Sequence, residues 1–333
     1  MKRLLTDRVV LLVVLLVVLV AWMGVLGANG YLVAPYDVPY LASSLESVVP
    51  LCVLGLAELL VVVTGRGGID LSVGSVVSLV GMVFGLLVGV WHWPLWLSLL
   101  IALACGLFLG AVNGFLVAWL GVPALIATLA TYYAYSSLAL VINDTAPIST
   151  PPVQALRSMT TAVGSIPLQV FTFLLPCAAT VWLLANRTNY GRRLYALGTN
   201  EAAARFAGLP VVSIRFRAYL LSGLLSGVVA IVTVAQFASA RPDAGTVGNG
   251  MALPAITIAI LGGTAITGGI GRVGGVILAS LFVVWLNAGI LLAFEDSRGS
   301  QYQLLALGAV LVLSAVLNRL TTQARLRTAG RAP

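Results

Sequence analysis

The chain has 333 residues, of which 60% are hydrophobic and only 8% charged, with a formal net charge of +8 and a mean hydropathy of +1.07. Soluble domains carry about 25% charged residues, so an ordinary water-soluble domain is excluded. Residues 9–28 form an uncharged apolar run of about the length that crosses a hydrocarbon core as a helix. A secretory signal would have a shorter apolar part and precede a polar mature chain, so the run reads as a membrane span.

Taken in chain order, the apolar runs place ten helical spans in one all-α polytopic transmembrane domain over 1–333, at 9–28, 46–64, 71–90, 95–120, 123–142, 168–186, 214–238, 251–267, 273–293 and 301–318. With the first span starting inside, Lys2, Arg3, Arg8, Arg66, Arg187, Arg192, Arg193, Arg205, Arg215, Arg217, Arg272, Arg319, Arg325, Arg327 and Arg331 fall on one side. Only Arg157, Arg241 and Arg298 fall on the other. Cytoplasmic loops collect Lys and Arg, so both termini are expected in the cytoplasm, and the positive charge needs no nucleic-acid partner.

The second span carries Glu58. An unpaired carboxylate is expensive at membrane depth, so Glu58 is expected to face the bundle interior or to hold a proton. Next comes GRGGIDLSVGS, Gly65 to Ser75, with Gly67, Gly68, Asp70, Ser72, Gly74 and Ser75. It reads as a turn that lets helices pack closely, as a helix break buried in protein or beside a wet cavity, or as both. Asp70 is expected to cap and brace the break or to stand in a solute pathway. Its expected partners are Ser72, Ser75, free N–H groups of the following helix, or Arg66.

His92 lies in the turn WHWP beside Trp91, Trp93 and Trp96, an interfacial aromatic setting rather than a proton relay. Cys52, Cys105 and Cys177 sit apart in apolar runs without nearby His. They read as packing residues, with neither a metal site nor a disulfide framework expected. Ser72, Ser75, Asn113, Thr128, Thr131, Gln236, Thr257 and Asn287 are polar positions inside apolar spans. They are expected to make interhelical hydrogen bonds, each worth roughly 0.6 kcal/mol, or to touch solute.

The longest cytoplasmic segment, 187–213, reads RTNYGRRLYALGTNEAAARFAGLPVVS. After a turn at Gly198-Thr199-Asn200, Glu201 to Phe206 forms a short helix, stopped by Gly208 and Pro210. Such a helix lies on anionic lipid or docks into another protein. The second break, LGGTAITGGIGRVGG from Leu261 to Gly275, includes Gly269-Ile270-Gly271-Arg272-Val273-Gly274 with Glu295 further on. A dinucleotide site would need flanking strands, whereas Val276 to Phe294 is long enough to span the bilayer. The chain has no G-x-x-x-x-G-K-[ST] motif and one lysine, Lys2. No catalytic constellation and no cofactor of the chain's own are therefore expected.

The combination of Gly67 to Ser75, Val112-Asn113-Gly114, Pro123 to Leu129, Tyr190 to Gly208, and Leu261-Gly262-Gly263 with Gly268-Gly269 resembles the permease subunits of bacterial ATP-binding-cassette sugar importers. That group includes the ribose, xylose, rhamnose and autoinducer-2 permeases, and the resemblance runs in order over roughly 45–320. It implies a ten-helix subunit in the bacterial inner membrane, similar to the vitamin B12 type of importer. A second permease chain, identical or not, would line the pathway with it. A cytoplasmic ATPase, expected as a tandem-cassette chain, would bind ATP and Mg. A periplasmic or lipid-anchored sugar-binding protein would deliver solute. The resemblance places ATPase coupling at Gly191, Arg192, Arg193, Glu201, Ala202, Ala203 and Gly208. It places the helix breaks and solute pathway at Gly67, Gly68, Asp70, Ser72, Gly74, Ser75, Asn113, Thr128, Gly262, Gly263, Gly268 and Gly269.

Two features depart from the pattern. Gly250 to Ile256 lacks the acid that relatives often carry before the second break, and FASARPDAG, Phe237 to Gly245, looks most like autoinducer-2 and rhamnose permeases. The competing expectation is an ion-coupled secondary transporter, with broken helices near the midplane and Asp70 or Glu58 carrying a proton. The segment 187–213 separates the two, because a transporter without an ATPase has no need of it.

Overall fold

A computed structural model describes residues 8–246, 250–294 and 297–329. Lys2, Arg3, Arg331 and Glu295 lie outside the described residues, as do the side chains of Arg319, Arg325 and Arg327. The described chain is mostly helical, and nine of its helices are long and apolar enough to cross a membrane.

Helix α1 (Arg8–Ala28) packs on the outside of the bundle. Helices α2 (Val38–Val62), α3 (Val73–Gly85) and α10 (Val211–Phe237) form its centre. Asp37 starts α2 by accepting a 2.9 Å bond from the Tyr40 amide, which satisfies an otherwise orphaned donor. Helix α3 continues through a π-helical turn, Leu86–Val90, and α4 (Leu95–Gly114) through another, Phe115–Trp119. Helix α5 (Ala124–Val141) follows. The short α6 (Pro151–Ala155), a 3-10 turn (Leu156–Thr160) and a two-stranded hairpin, β1 (Ala162–Val163) and β2 (Ile166–Pro167), then lead through a π-helical turn (Val170–Leu174) into α7 (Leu175–Arg187). Helices α8 (Asn189–Thr199) and α9 (Glu201–Phe206) lie between α7 and α10. The chain ends with α11 (Ala252–Leu261), α12 (Val273–Ala293) and α13 (Ser297–Ala329).

Small residues set the closest helix contact. Gly106 and Gly110 on α4 face Gly223 and Gly227 on α10. A Cβ at Gly106 would stand 2.6 Å from the Gly223 carbonyl oxygen, and one at Gly110 would stand 2.4 Å from that of Tyr219. The two backbones therefore touch, in the small-xxx-small manner that gives membrane helices their dispersion energy.

The span expected at 251–267 takes a different form. Only Ala252–Leu261 is helical, a ten-residue piece. The described residues before it, 238–246, run as irregular backbone alongside α3. Ala240 and Ile148 exchange two 2.9 Å backbone bonds, and the Cβ of Ala240 presses where a Gly85 side chain would be. Further along, the Gly245 amide donates to Ser78 Oγ at 2.9 Å, and its carbonyl meets Gly74 so closely that a Cβ there would be 2.3 Å away. Irregular backbone at membrane depth is tolerated when protein covers it, and the glycines of α3 make the trough that does so.

Candidate functional site: the junction of two glycine breaks with the α8–α9 segment

The two glycine-rich breaks meet. Gly65, Arg66 and Gly67 adopt left-handed φ of 76°, 55° and 66°, and Gly263, Gly268 and Gly269 adopt 97°, 93° and 74°. The Gly269 amide donates to the Val63 carbonyl at 3.0 Å. A Cβ on Gly268 would sit 2.5 Å from the Gly65 α-carbon. Gly198, near the end of α8, seals the junction from the third side. Its Cβ would lie 1.8 Å from the Val63 carbonyl oxygen and 2.4 Å from the Gly269 nitrogen. Tyr195, one helical turn earlier, donates its hydroxyl to the Gly271 carbonyl at 3.0 Å.

Glu201, the first residue of α9, fastens the same segment by charge. Its Oε2 takes Arg66 Nε at 2.9 Å and Arg215 Nη2 at 2.7 Å, while Oε1 takes Arg205 at 2.8 Å. The Glu201 side chain is only 15% exposed and that of Arg215 6%. Partial burial opposes the ionised form. The hydrogen bonds from Arg215 and Arg205 and the charges of Arg215 and Arg66 outweigh it, holding the carboxyl below the usual carboxylate range. Arg66 is thus the partner of Glu201 rather than of Asp70. Arg66 makes this pair from a left-handed φ of 55°, a region unfavourable for a residue with a side chain.

Asp70 anchors a buried network behind the first break. Its Oδ1 accepts from the Ser72 amide at 3.1 Å and the Ser72 hydroxyl at 2.6 Å, and its Oδ2 accepts from Ser222 on α10 at 2.8 Å. Asn113 on α4 donates to Ser72 Oγ at 2.7 Å, and Thr131 on α5 donates to Asn113 Oδ1 at 2.7 Å. Ser75 donates to the Ser72 carbonyl at 2.8 Å, and Thr128 to the Ala124 carbonyl at 2.8 Å. The cap position of α3 belongs to Ser72, so Asp70 braces the turn two residues upstream. Glu58 is fully buried. Its Oε2 accepts from the Asp70 amide at 3.3 Å, and its Oε1 has no hydrogen-bond partner among the described residues.

The remaining expected positions divide by environment. Gly74 packs on Gly245, Gly262 on Gly275, Gly263 on Arg8 and Gly191 on the Ala185 carbonyl. Gly68 fits under the Val61 and Gly65 carbonyls. Arg192, Arg193, Ala202, Ala203 and Gly208 are exposed, and Gly208 has a φ of 73° that ends α9. Thr257 spends its hydroxyl on the Leu253 carbonyl at 2.8 Å. Gln236 and Asn287 stand at the far end of the bundle, away from this junction. The expected turn at Gly198-Thr199-Asn200 narrows to Asn200, because α8 continues through Thr199 and Asn200 caps α9 by accepting from the Ala203 amide at 3.0 Å.

Three residues of the junction escape sequence reasoning. Tyr195 and Arg215 become partners only through the tertiary fold. Phe206 is 94% exposed at the end of α9, and a large aromatic closing an alanine-rich helix was its one visible signal. With Arg192, Arg193, Ala202 and Ala203 it makes up the exposed part of an otherwise anchored segment.

Residues 40–315 match the family described as branched-chain amino acid transport system / permease component. The chain is 34% identical over 289 residues to an autoinducer 2 import system permease protein of Klebsiella pneumoniae subsp. pneumoniae, covering 85% of this chain and 84% of the relative. It is 36% identical over 269 residues to a ribose import permease protein of Escherichia coli K12, covering 80% of each. A D-allose transport system permease protein of the same strain is 32% identical over 270 residues, covering 81% of this chain and 80% of the relative. No solved structure matches the chain. With a polytopic helical body and a match over most of its length, the chain belongs to this family of transport-system permease components.

Proposed function

We propose that the chain is the membrane-spanning subunit of an ATP-driven importer for a neutral sugar or sugar-like solute of the monosaccharide or autoinducer-2 class. In this reading it lies in the bacterial cytoplasmic membrane with both termini inside, in the architecture of the vitamin B12 type of importer, and pairs with a second permease subunit. ATP and Mg are handled by a partner ATPase, expected as a tandem-cassette chain, and solute is delivered by a periplasmic or lipid-anchored binding protein. The similarity to autoinducer 2, ribose and D-allose permeases supports the solute class.

One observation carries the mechanical part: α8 and α9 are locked to both glycine breaks at once, through Gly198 against Val63 and Gly269 and through Glu201 to Arg66. A push on the exposed face of Phe206, Arg192 and Arg193 is not absorbed inside the segment, because Gly198 meets both breaks backbone against backbone and Glu201 is tied to Arg66 and Arg215. The displacement passes to the break after α2, to the break after α11, and through Arg215 to α10. Those are the points where the helical ladder is already interrupted and the backbone bends at low cost. Cells expressing the chain with its partner genes should accumulate D-ribose, D-allose or autoinducer 2 in an ATP-dependent manner, and Glu201→Lys should abolish it at normal membrane levels. Uptake of leucine alone, or full uptake by Glu201→Lys, would contradict the reading.

A further inference from the structure

At the end of the bundle opposite α8 and α9, a cavity of about 680 Å³ opens between α2, α12, α13 and the end of α10. That volume lies within the roughly 300–1,000 Å³ of small-molecule sites. Its wall is unusually polar for a membrane bundle, with Ser43, Glu46 and Ser47 from α2, Gln236 from α10 and Asn287 from α12. Asn287 stands six residues before the last residue of α12, about 9 Å along the axis, so the cavity reaches into the membrane zone. Lipid does not satisfy such groups, and polar side chains at that depth face water, protein or a transported solute.

The wall has hydrogen-bonding capacity to spare. Gln236 is fixed in place, donating to the Glu46 carbonyl at 2.8 Å and to Gln169 Oε1 at 2.7 Å. Arg157 is fixed beside it, donating to the Gln236 carbonyl at 2.6 Å. By contrast, the Glu46 carboxylate, the Ser47 hydroxyl and the Asn287 amide make no hydrogen bond to the described residues. Together they offer several acceptors and the donors of one amide and one hydroxyl, next to the remaining guanidinium donors of Arg157. A second cavity of about 330 Å³ shares Ser43, Glu46 and Arg157 and adds the hydroxyls of Thr160, Thr161 and Ser165. One carboxylate and one guanidinium in the same wall balance in charge, which suits a neutral ligand and not an anion.

The geometry points to a solute-binding site contained within this single subunit, at its outer end, that takes a neutral polyhydroxylated molecule such as an aldose in contact with Glu46, Asn287 and Arg157. The inference rests on the importer reading for the direction of travel. It differs from that reading in placing a stop for solute here, remote from the junction that α8 and α9 control.

Wild-type cells are first offered D-ribose, D-allose and autoinducer 2 to find which they accumulate. Asn287→Cys is then labelled in right-side-out vesicles with a membrane-impermeant maleimide, with wild-type protein as the background for its three native cysteines. The accumulated solute should slow labelling of Asn287→Cys, and should do so equally when Glu201→Lys is added, a change expected to stop transport without touching this site. Glu46→Gln and Asn287→Ala should raise the half-saturating concentration for uptake about fivefold each, at unchanged membrane levels. If the solute is accumulated but labelling is unprotected and both half-saturation values are unchanged, the site is refuted while the importer reading stands. If none of the three is accumulated, both fall.

Discussion

Gly198 sits so close to Val63 that a side chain at 198 would place its first carbon 1.8 Å from the Val63 carbonyl oxygen. The contact joins the end of α8 to the break after α2, across 135 positions of sequence, and its other neighbour is Gly269 in the second break. Replacing Gly198 by Ala forces backbone apart at a three-way junction, an overpacking penalty of about 1–3 kcal/mol. We expect Gly198→Ala to insert and to assemble with its ATPase, but to lose most ATP-dependent uptake. ATP hydrolysis and solute uptake measured on the same vesicles would show the two separating.

The Glu201 cluster predicts a pH dependence of definite sign. Its carboxyl is held below the usual range in the folded protein, so its contribution is present above the unfolded carboxylate pKa of about 4.3. That contribution disappears as pH falls through the lower folded value. The thermal midpoint of wild type should exceed that of Glu201→Gln at pH 7, with the gap closing only below about pH 4. A gap that closes near neutral pH would point to another group.

The α4–α10 contact offers a test of packing with internal controls. Gly110→Val and Gly223→Val put atoms within 2.4 Å and 2.2 Å of opposing carbonyl oxygens, and both should sharply reduce the amount of folded protein. Gly24→Ala and Gly308→Ala meet nothing within 4 Å among the described residues and should leave it unchanged. Detergent-extracted, monodisperse protein measured by size-exclusion chromatography separates the two pairs.

Asp70 braces three hydroxyl and amide donors, which makes it a structural residue in this account. Asp70→Leu orphans the Ser72 and Ser222 donors and should cost about 1–3 kcal/mol for each group left unpaired. Asp70→Asn keeps one acceptor oxygen and should retain substantial ATP-dependent uptake. Loss of a proton-driven component in Asp70→Asn, read by uptake under an imposed pH gradient, would favour ion coupling instead.

Much of this architecture is legible in sequence because its signals are local. Apolar runs mark the long helices, and the Glu201–Phe206 helix is bracketed by Asn200, Gly208 and Pro210. The junction is not legible in the same way. Nothing near Gly65 reports that Gly198 and Gly268 will close on it, and Arg66 had an acid much nearer in sequence, Asp70, than the one it pairs with. The run 251–267 misleads for a related reason: its apolar composition suits any buried backbone, helical or not. Its helix stops at Leu261 because Gly263 turns to a left-handed φ of 97° just beyond the cap, which glycine adopts at no steric cost. The polar positions within spans were visible, but their division was not. Ser72, Ser75, Asn113 and Thr131 satisfy one another or nearby carbonyls, whereas Asn287 faces an open cavity.

In the proposed mechanism, movement enters this subunit from outside, through the exposed face of α9. The most direct measurement compares solute accumulation in proteoliposomes holding the permease alone under a proton or sodium gradient with those holding it beside its ATPase, binding protein and ATP. Accumulation is predicted only in the second preparation, and Phe206→Ala there should reduce it while leaving the protein folded. Gradient-driven accumulation by the permease alone, or full ATP-driven transport by Phe206→Ala together with Glu201→Lys, would contradict the account.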